Sequence, residues 1–377
     1  MKKIVVFFFL LVLTFALSSA LEAAWNTKRL TNNTGASGAE GTAIAVEGSN
    51  IYVAWSDQTP GNNEIYFRKS TDSGSSWQAS KRLTYNTGSS WWPSIAVYGT
   101  SIYVVWMDDT SGNKEIYFRK SADDGATWQS QKRLTSNSGE SWNPKIVENG
   151  NAIFIVWTDN TPGNYEIYFI KSIDGGATWQ SAKKLTNTAG DSFRPSIANS
   201  GSKLCIVWYD ITPGNREIYF RKSTDGGDTW QTTKRLTNNA GESRYPKIAL
   251  DSSNIYAVWQ DSTPGNYEIY FRKSADDGAT WQPAKRITND SGDSEYPDIA
   301  VHGQHVYLTW DDNTTGNREV YFKNSLDGGA AWQPLQQLTN TAGDSLSTQI
   351  AEDDPSIYIV YSDQTPGNFE VYTKMYW

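Results

Sequence analysis

The chain alternates short apolar segments with runs of Gly, Asn, Asp and Pro, and no segment keeps the 3.6-residue apolar spacing of an amphipathic helix. One unit contains four such extended segments, PSIAV at 93, SIYVVWMD at 101, EIYFRKS at 115 and WQSQKRLT at 128. β-branched and aromatic residues dominate the segments, and turn-forming residues separate them. The pattern predicts four short strands in each unit.

Tryptophans repeat with a period of 51 residues. The first series is Trp55, Trp106, Trp157, Trp208, Trp259 and Trp310, with Tyr361 in the seventh place. The second series is Trp77, Trp128, Trp179, Trp230, Trp281 and Trp332. A four-stranded repeat of about 40–50 residues is typical of a β-propeller blade. We therefore predict an all-β fold, a seven-bladed β-propeller of four-stranded antiparallel blades that forms one domain over residues 21–377.

The two ends of the repeat array complement each other. The seventh unit stops one strand short, after EVYTKMYW, while the segment WNTKRLT near the N-terminus matches the last strand of the other units. We expect Trp25–Thr31 to supply the outer strand of the seventh blade. This pairing would close the ring and leave no open join between its ends.

The N-terminal residues have the pattern of a secretory signal. Lys2 and Lys3 precede an apolar run from Ile4 to Leu17, and small residues follow up to Ala20. Such a run is too short to cross a bilayer comfortably. We predict a signal peptide over residues 1–20 and a secreted, periplasmic or cell-surface protein that is not inserted in a membrane.

Charge and cysteine content narrow the classes of partner. The formal charge is −8, and removal of Lys2 and Lys3 with the signal would make it −10. Nucleic acids and anionic membranes require clustered basic residues, so neither is an expected partner. The single cysteine, Cys205, lies in the apolar run LCIVW and is expected to be buried rather than reactive. We expect a monomer without a cofactor.

A second motif, SxDxGxTW, recurs between the third and fourth strands. It is centred on Asp72, Asp123, Asp174, Asp225, Asp276 and Asp327, with Ser76 and Ala331 replacing Thr in two copies. The chain thereby resembles the Asp-box (BNR-repeat) propellers, which include sialidases, some xyloglucanases, fungal lectins and sortilin-like receptors. We interpret these aspartates as structural acceptors of turn N–H groups rather than as a cation site. The resemblance implies that they lie on the face opposite a ligand site.

The DxTPGNxE loop between the second and third strands also recurs, and it resembles the repeat of the Tol-type periplasmic propellers, which bind proteins. Its Asp and Glu could form a catalytic carboxylate pair, as in Asp159 and Glu166. Seven copies cannot all serve one central site. We therefore interpret the pairs as groups that satisfy the turn.

Positions that differ between blades are better candidates for a ligand site, because a repeated scaffold has no packing reason to vary them. The residues before the interblade prolines vary most, and we predict a ligand-binding rim that comprises Trp91, Trp92, Trp142, Arg194, Arg244, Tyr245 and Tyr296. Aromatic faces stack on sugars or apolar side chains, and Arg binds carboxylates. The alternative is that these residues only cover neighbouring blades.

Catalytic chemistry has weaker support. Arg194, Arg244, Glu295 and Tyr296 loosely resemble the residue types of a sialidase site, which uses arginines, a tyrosine nucleophile and a glutamate. Sialidase folds usually have six blades, however, and no FRIP-type motif occurs near the N-terminus. His302 and His305 are interpreted as turn residues, so no metal site is predicted. The sequence favours a glycan-binding module; the alternatives are a protein-binding periplasmic or surface propeller and a sialidase-like glycoside hydrolase.

Overall fold

The computed structural model describes residues 25–161 and 163–376. These residues form seven four-stranded antiparallel sheets. The inner strands are β2 Ser37–Glu47, β6 Ser90–Tyr98, β10 Ser141–Asn149, β14 Ser192–Ser200, β18 Ser243–Asp251, β22 Ser294–His302 and β26 Ser345–Asp353. The second strands are β3 Asn50–Asp57, β7 Ser101–Asp108, β11 Ala152–Asp159, β15 Lys203–Asp210, β19 Asn254–Asp261, β23 His305–Asp312 and β27 Ser356–Asp363.

The outer half of each blade is shorter. The third strands are β4 Glu64–Ser70, β8 Glu115–Ser121, β12 Glu166–Ser172, β16 Glu217–Ser223, β20 Glu268–Ser274, β24 Glu319–Ser325 and β28 Glu370–Tyr376. The outer strands are β5 Lys81–Arg82, β9 Lys132–Arg133, β13 Lys183–Lys184, β17 Lys234–Arg235, β21 Lys285–Arg286, β25 Gln336–Gln337 and β1 Asn26–Arg29. The predicted seven-bladed propeller is confirmed. The proposed signal peptide lies outside the described residues.

The core lies between the blades. Tyr52, Ala54 and Phe67 of the first blade pack in one cluster with Val104 and Trp106 of the second. Both faces of a second strand contact such a cluster, so SIYVVWMD is almost completely buried. This burial on two sides explains why these strands are nearly continuous apolar runs.

The ring closes as predicted. Strand β1 pairs with β28 in the seventh blade, with Asn26 opposite Met375 and Arg29 opposite Tyr372. The indole of Trp25 packs edge-on against Phe322 at a centroid distance of 5.1 Å. In the second blade, Trp128 packs in the same way on Phe67 of the preceding blade. The N-terminal segment therefore supplies both the missing strand and the missing interblade tryptophan.

The outer strands are shorter than predicted, since only two residues of the segment that starts at Trp128 form a ladder. Trp128 turns inward to contact Phe67, and the backbone N–H of Gln129 donates to the carbonyl of Lys120. The Lys132 Nζ then donates to the carbonyls of Gly176 and Ala177 in the next blade. Interblade packing thus replaces part of the predicted ladder.

The Asp-box turn has the structural role that the sequence predicts. Asp174 Oδ1 accepts hydrogen bonds from Ser172 Oγ at 2.7 Å and from the Thr178 N–H at 2.8 Å, and Thr178 Oγ1 donates to Oδ2 at 2.6 Å. These hydrogen bonds, chiefly those from Thr178, lower the pKa of Asp174 to about 2. Gly176 has a φ of +87°, and a Cβ there would lie 2.6 Å from the Phe118 ring. Only glycine fits this position.

Candidate functional site

A cavity of about 440 Å³ lies at the entrance of the axial channel, at the end of the molecule where the inner strands begin. A second space of about 150 Å³ continues the channel and is lined by residues farther along the inner strands, including Lys145, Lys247 and Asp298. The Asp-box turns lie at the opposite ends of the blades, after the third strands. The axial cavity is therefore on the face where the sequence predicts a ligand site.

Seven equivalent positions, which we call the axial ring, line the cavity at intervals of 51 residues. They are Gly41, Trp92, Asn143, Arg194, Tyr245, Tyr296 and Ser347. The six non-glycine members have φ between 50° and 59°, in a left-handed region that side chains other than Gly, Asn and Asp rarely adopt. Such a conformation costs on the order of 1 kcal/mol per residue, so the packed inner strands must hold it in place.

A β-bulge produces this conformation in the second to seventh blades. In the second blade, Trp91 pairs with Met107 and Ser94 pairs with Val105, so the inner strand has one residue more than its partner across the bulge. The extra residue leaves the pairing register, and the side chain of Trp92 lines the channel. Pro93 follows on the inner edge, where the strand needs no N–H donor.

Aromatic and cationic side chains gather on the axial ring. The Arg194 guanidinium lies 5.0 Å from the Trp92 ring and 5.1 Å from the Tyr245 ring. The rings of Tyr245 and Tyr296 are 4.7 Å apart, and burial, followed by the neighbouring Tyr245, raises the pKa of Tyr296 to about 12. Among the side chains that the structure describes, no carboxylate pairs with Arg194. The cavity thus presents aromatic faces beside an unneutralised guanidinium.

The predicted rim residues do not all line the cavity. Trp92, Arg194, Tyr245 and Tyr296 do so, whereas Trp91, Trp142 and Arg244 are absent from its wall.

The residues outside the wall pack behind it. The Trp142 Nε1 donates to Glu140 at 2.9 Å, and its ring lies 3.8 Å from the Lys114 ammonium. Arg244 lies over the Tyr267 ring at 4.1 Å. Trp142 and Arg244 thus contact their own loops or a neighbouring blade, which agrees with the alternative interpretation that part of the varied set covers blade ends.

An ion-pair network supports one side of the cavity. Glu295 is buried and accepts hydrogen bonds from Gln260 Nε2 at 3.0 Å and from Arg318. Arg318 itself lines the cavity. Asp311 lies at the wall but is only 1% exposed; its Oδ2 accepts the Ser347 N–H at 3.1 Å. Burial raises the pKa of Asp311 to about 8, which favours the protonated form of this carboxyl near neutral pH.

The repeated carboxylate pairs are buried and hydrogen-bonded within the scaffold, although one oxygen of each glutamate, such as Glu166 Oε2, has no hydrogen-bond partner among the described residues. Asp159 accepts hydrogen bonds from the Thr161 N–H at 2.9 Å, Ser141 Oγ at 2.7 Å and Trp157 Nε1 at 3.1 Å. Burial opposes ionisation of Asp159, but the hydrogen bonds from Thr161 and Ser141 outweigh it and lower the pKa. Glu166 accepts the Thr188 N–H and pairs with Lys184 at 3.2 Å. Neither carboxylate is free for catalysis.

Other candidate groups lie elsewhere. His302 and His305 are at the opposite end of the sixth blade, 3.4 Å from Glu352 and 3.6 Å from Asp354. Within residues 25–161 and 163–376, no group of three or more His, Cys, Asp or Glu side chains could hold a metal ion. Cys205 is buried, and burial raises its pKa to about 12.

Sequence inspection missed Lys145, Lys247 and Asp311. Lys145 and Lys247 stand two residues after members of the axial ring, at a position that also varies between blades. Asp311 occupies a position that holds Ser, Met, Thr, Tyr or Gln in other units. Variation at fixed repeat positions within the strands, and not only at the loop tips, is the sequence signal that identifies all three.

Known proteins share this architecture. A family model described as the BNR repeat-like domain matches residues 50–308, more than two thirds of the chain. The chain belongs to the BNR repeat-like family. It is 28% identical to a xyloglucanase from Paenibacillus sp in an alignment of 167 residues that covers 38% of this chain and 15% of the length of that enzyme.

Solved structures show the fold of this BNR repeat-like protein. The polysaccharide lyase Uly1 superimposes with a TM-score of 0.61 at 10% identity, covering 90% of each chain. Trypanosoma rangeli sialidase in complex with sialic acid gives a TM-score of 0.54 at 15% identity, covering 79% of this chain and 55% of the sialidase. At these identities the likeness concerns the propeller alone.

Among the described residues, no helix is long and apolar enough to cross a membrane.

Proposed function

We propose that this protein is an exported propeller that binds a carbohydrate in the axial cavity and does not turn it over. One observation carries the proposal: the ring positions of a near-uniform repeat differ from blade to blade, and they bring Trp92, Tyr245, Tyr296 and Arg194 to one cavity. Aromatic faces pack on the C–H surfaces of sugars, and a guanidinium binds their oxygen atoms. The cavity volume of about 440 Å³ is within the usual range for small-ligand sites.

The carboxylate geometry favours binding over hydrolysis. Glycoside hydrolysis generally requires two carboxyl groups that reach the scissile bond. The paired carboxylates of the repeated loops are buried and hydrogen-bonded to the surrounding scaffold, and Glu295 is hydrogen-bonded to Arg318 and Gln260. Asp311 is almost fully buried behind the wall.

A second candidate function, a glycoside hydrolase, is supported by the raised pKa of Asp311. A carboxyl group that stays protonated near neutral pH is what a general acid requires. Its position at the cavity wall could become catalytic if a bound sugar displaced the covering residues. Release of product from fluorogenic glycosides, abolished by Asp311→Asn, would establish hydrolysis.

A glycan array, followed by calorimetry on the best-bound oligosaccharide, tests the proposal. Tyr245→Ala should weaken binding by about 1–3 kcal/mol, because binding energy concentrates in a few aromatic anchors. Tyr98→Ala is the matched control, since Tyr98 is an exposed tyrosine at the end of inner strand β6 that is far from the cavity. Equal effects of the two substitutions would contradict the assignment of the cavity. Binding of an extracellular protein instead of any glycan would favour the protein-binding alternative.

Export is the remaining part of the proposal and is supported by the sequence pattern of residues 1–20. N-terminal sequencing of protein recovered outside the cytoplasm should find Leu21 as the first residue. A retained N-terminus would contradict it.

A further inference from the structure

The second layer of the channel contains two lysines, and within the described residues only one of them forms an ion pair. Seven equivalent positions, two residues after the axial ring, form this layer: Ala43, Ser94, Lys145, Ser196, Lys247, Asp298 and Gln349. Lys247 Nζ binds Asp298 at 2.9 Å and Gln349 Oε1 at 3.3 Å. Lys145 has no ion pair or hydrogen-bond acceptor among the side chains that the structure describes. The Lys145 side chain lines both the axial cavity and the second space that continues the channel.

The backbone beside Lys145 is also arranged to donate. In three blades, a backbone N–H of the inner strand donates a hydrogen bond to the side-chain oxygen of the second-layer residue in the preceding blade. Ile146 and Ile248 donate to Ser94 and Ser196 at 3.3 Å, and Ile350 donates to Asp298 at 3.0 Å.

In the fourth blade the equivalent donor is Ile197, which pairs with Ile206 in the same register. The second-layer residue of the preceding blade is Lys145, whose side chain cannot accept a hydrogen bond from the Ile197 N–H. The Lys145 side chain and the Ile197 N–H therefore lie in a layer of the channel where three other blades receive an oxygen acceptor from the preceding blade.

The electrostatics of the channel agree with this arrangement. Two lysines face one aspartate in the second layer, and the unpaired Arg194 lies at the entrance above them, although the whole chain carries a net charge of −8. An enclosed charge without a partner is costly. Burial, followed by the nearby Lys247, lowers the pKa of Lys145 to about 7. A bound anion would raise the pKa of Lys145, so that the ammonium keeps its charge, and would accept hydrogen bonds from the ammonium and from the Ile197 N–H.

We propose that the channel below the axial ring binds an oxyanion, either the carboxylate or sulfate group of a saccharide seated in the cavity or a free inorganic anion, between Lys145 Nζ and the N–H of Ile197. For the saccharide source, this inference rests on the proposed function and narrows its ligand class to acidic sugars. Tyr245 and Tyr296 would contact the sugar ring above, while the acidic group enters the channel.

The site can be tested directly with inorganic sulfate. Reductive methylation with carbon-13 keeps the charge of each lysine and makes its titration visible by NMR, and Lys145→Gln identifies the signal of Lys145. In the wild-type protein this signal should titrate near pH 7, and saturating sulfate at constant ionic strength should raise its pKa by about one unit. An unchanged titration of Lys145 in sulfate would overturn the site.

Saccharide arms distinguish the two sources of the anion. Calorimetry compares an oligogalacturonate with its neutral methyl ester on the wild type, Lys145→Gln, Tyr245→Ala and Lys114→Gln. The last variant removes one positive charge from a lysine that lies near Glu140, outside the cavity wall.

We expect Lys145→Gln to weaken binding of the acidic form by roughly tenfold and to spare the neutral form, whereas Tyr245→Ala weakens both and Lys114→Gln weakens neither. Wild-type affinity for the acidic form should fall as the pH rises through 7, because Lys145 then loses its proton. The charged groups around Lys145 are Lys247, Arg194 and Asp298. Lys145→Gln should remove this pH dependence.

The outcomes separate the two proposals. If Lys145→Gln binds both saccharides as the wild type does, the anion site is wrong while the carbohydrate function stands. If sulfate acts on Lys145 but neither saccharide binds, the anion is a free ion and the proposed function fails for these sugars. Lys145→Gln should also unfold at the same temperature as the wild type or higher, since it removes an unpaired enclosed charge. A lower melting temperature would indicate a structural role for Lys145 instead.

Discussion

The sixth blade departs from the repeat at one residue, and this departure predicts a pH-dependent loss of stability. In four blades an asparagine donates to the buried aspartate that ends a second strand: Asn33 to Asp57 at 2.8 Å, Asn86 to Asp108, Asn137 to Asp159 at 2.9 Å and Asn239 to Asp261 at 2.8 Å. The sixth blade has Asp290 at this position, beside Asp312. Burial, followed by repulsion from Asp312, raises the pKa of Asp290 to about 6. Its Oδ1 is buried without a hydrogen-bond partner among the described residues.

The sign and size of the effect follow from linkage. Because the pKa is raised on folding, the contribution of Asp290 to the free energy of unfolding is complete below about pH 4 and is lost as the pH rises through 6. The shift from 3.8 to about 6 corresponds to roughly 3 kcal/mol without screening. Asp290 is only half-buried, and solvent screening reduces this to about 1 kcal/mol.

Asp290→Asn should therefore stabilise the protein by about 1–2 kcal/mol at pH 8, since it removes the repulsion and adds a donor for Asp312. At pH 4.5 the gain should largely disappear. Equilibrium urea unfolding at both pH values measures the difference. The matched control is Asn239→Asp, which installs the same carboxylate pair in the fifth blade and should destabilise at pH 8. A gain from Asp290→Asn that is equal at both pH values, or absent at pH 8, would refute the reasoning.

Two further predictions concern the scaffold. Asp174→Ala should lower the melting temperature by a few degrees, because the Thr178 N–H and the Ser172 hydroxyl lose their acceptor. It should leave the affinity of the axial cavity for its ligand unchanged. A large loss of affinity in a folded variant would show that the ligand binds on the Asp-box face instead. Deletion of Trp25–Thr31 should expose the edge of β28 and uncover Phe322, so that the protein melts well below the wild type or aggregates. A truncated chain as stable as the parent would show that the closing strand contributes little.

The strain of the axial ring bears on how the cavity could change in evolution. Six ring residues keep a left-handed backbone whatever their side chain, from Trp92 to Ser347. The bulge and the interblade packing therefore impose the backbone, and the side chain is free to differ. A substitution at a ring position should alter the cavity more than the fold. This separation allows one scaffold to present many ligand surfaces.

Most of the fold was predictable because it is encoded locally and repeated. The alternation of apolar and turn residues predicts strands, the 51-residue period predicts blades, and the matching ends predict closure by Trp25–Thr31. Each of these signals depends on residues near one another in sequence and recurs up to seven times, so a single irregular unit does not obscure it. The Asp-box hydrogen bonds were predictable for the same reason, since Ser172, Asp174 and Thr178 lie within one turn.

The candidate site was only partly predictable, because its members lie about 51 residues apart and meet only when the ring closes. Variation between repeats indicated Trp92, Arg194, Tyr245 and Tyr296, which line the cavity, but it could not separate them from Trp91 or Trp142, which stand one position before the ring in their blades. The bulge decides which of two adjacent residues faces the channel, and it depends on pairing with the second strand. Likewise, Lys145 and Lys247 occupy equivalent repeat positions, yet among the described residues only Lys247 forms an ion pair with Asp298. The amino-acid sequence thus determined the blades and their order, while tertiary packing decided which side chains converge and which charges remain unpaired.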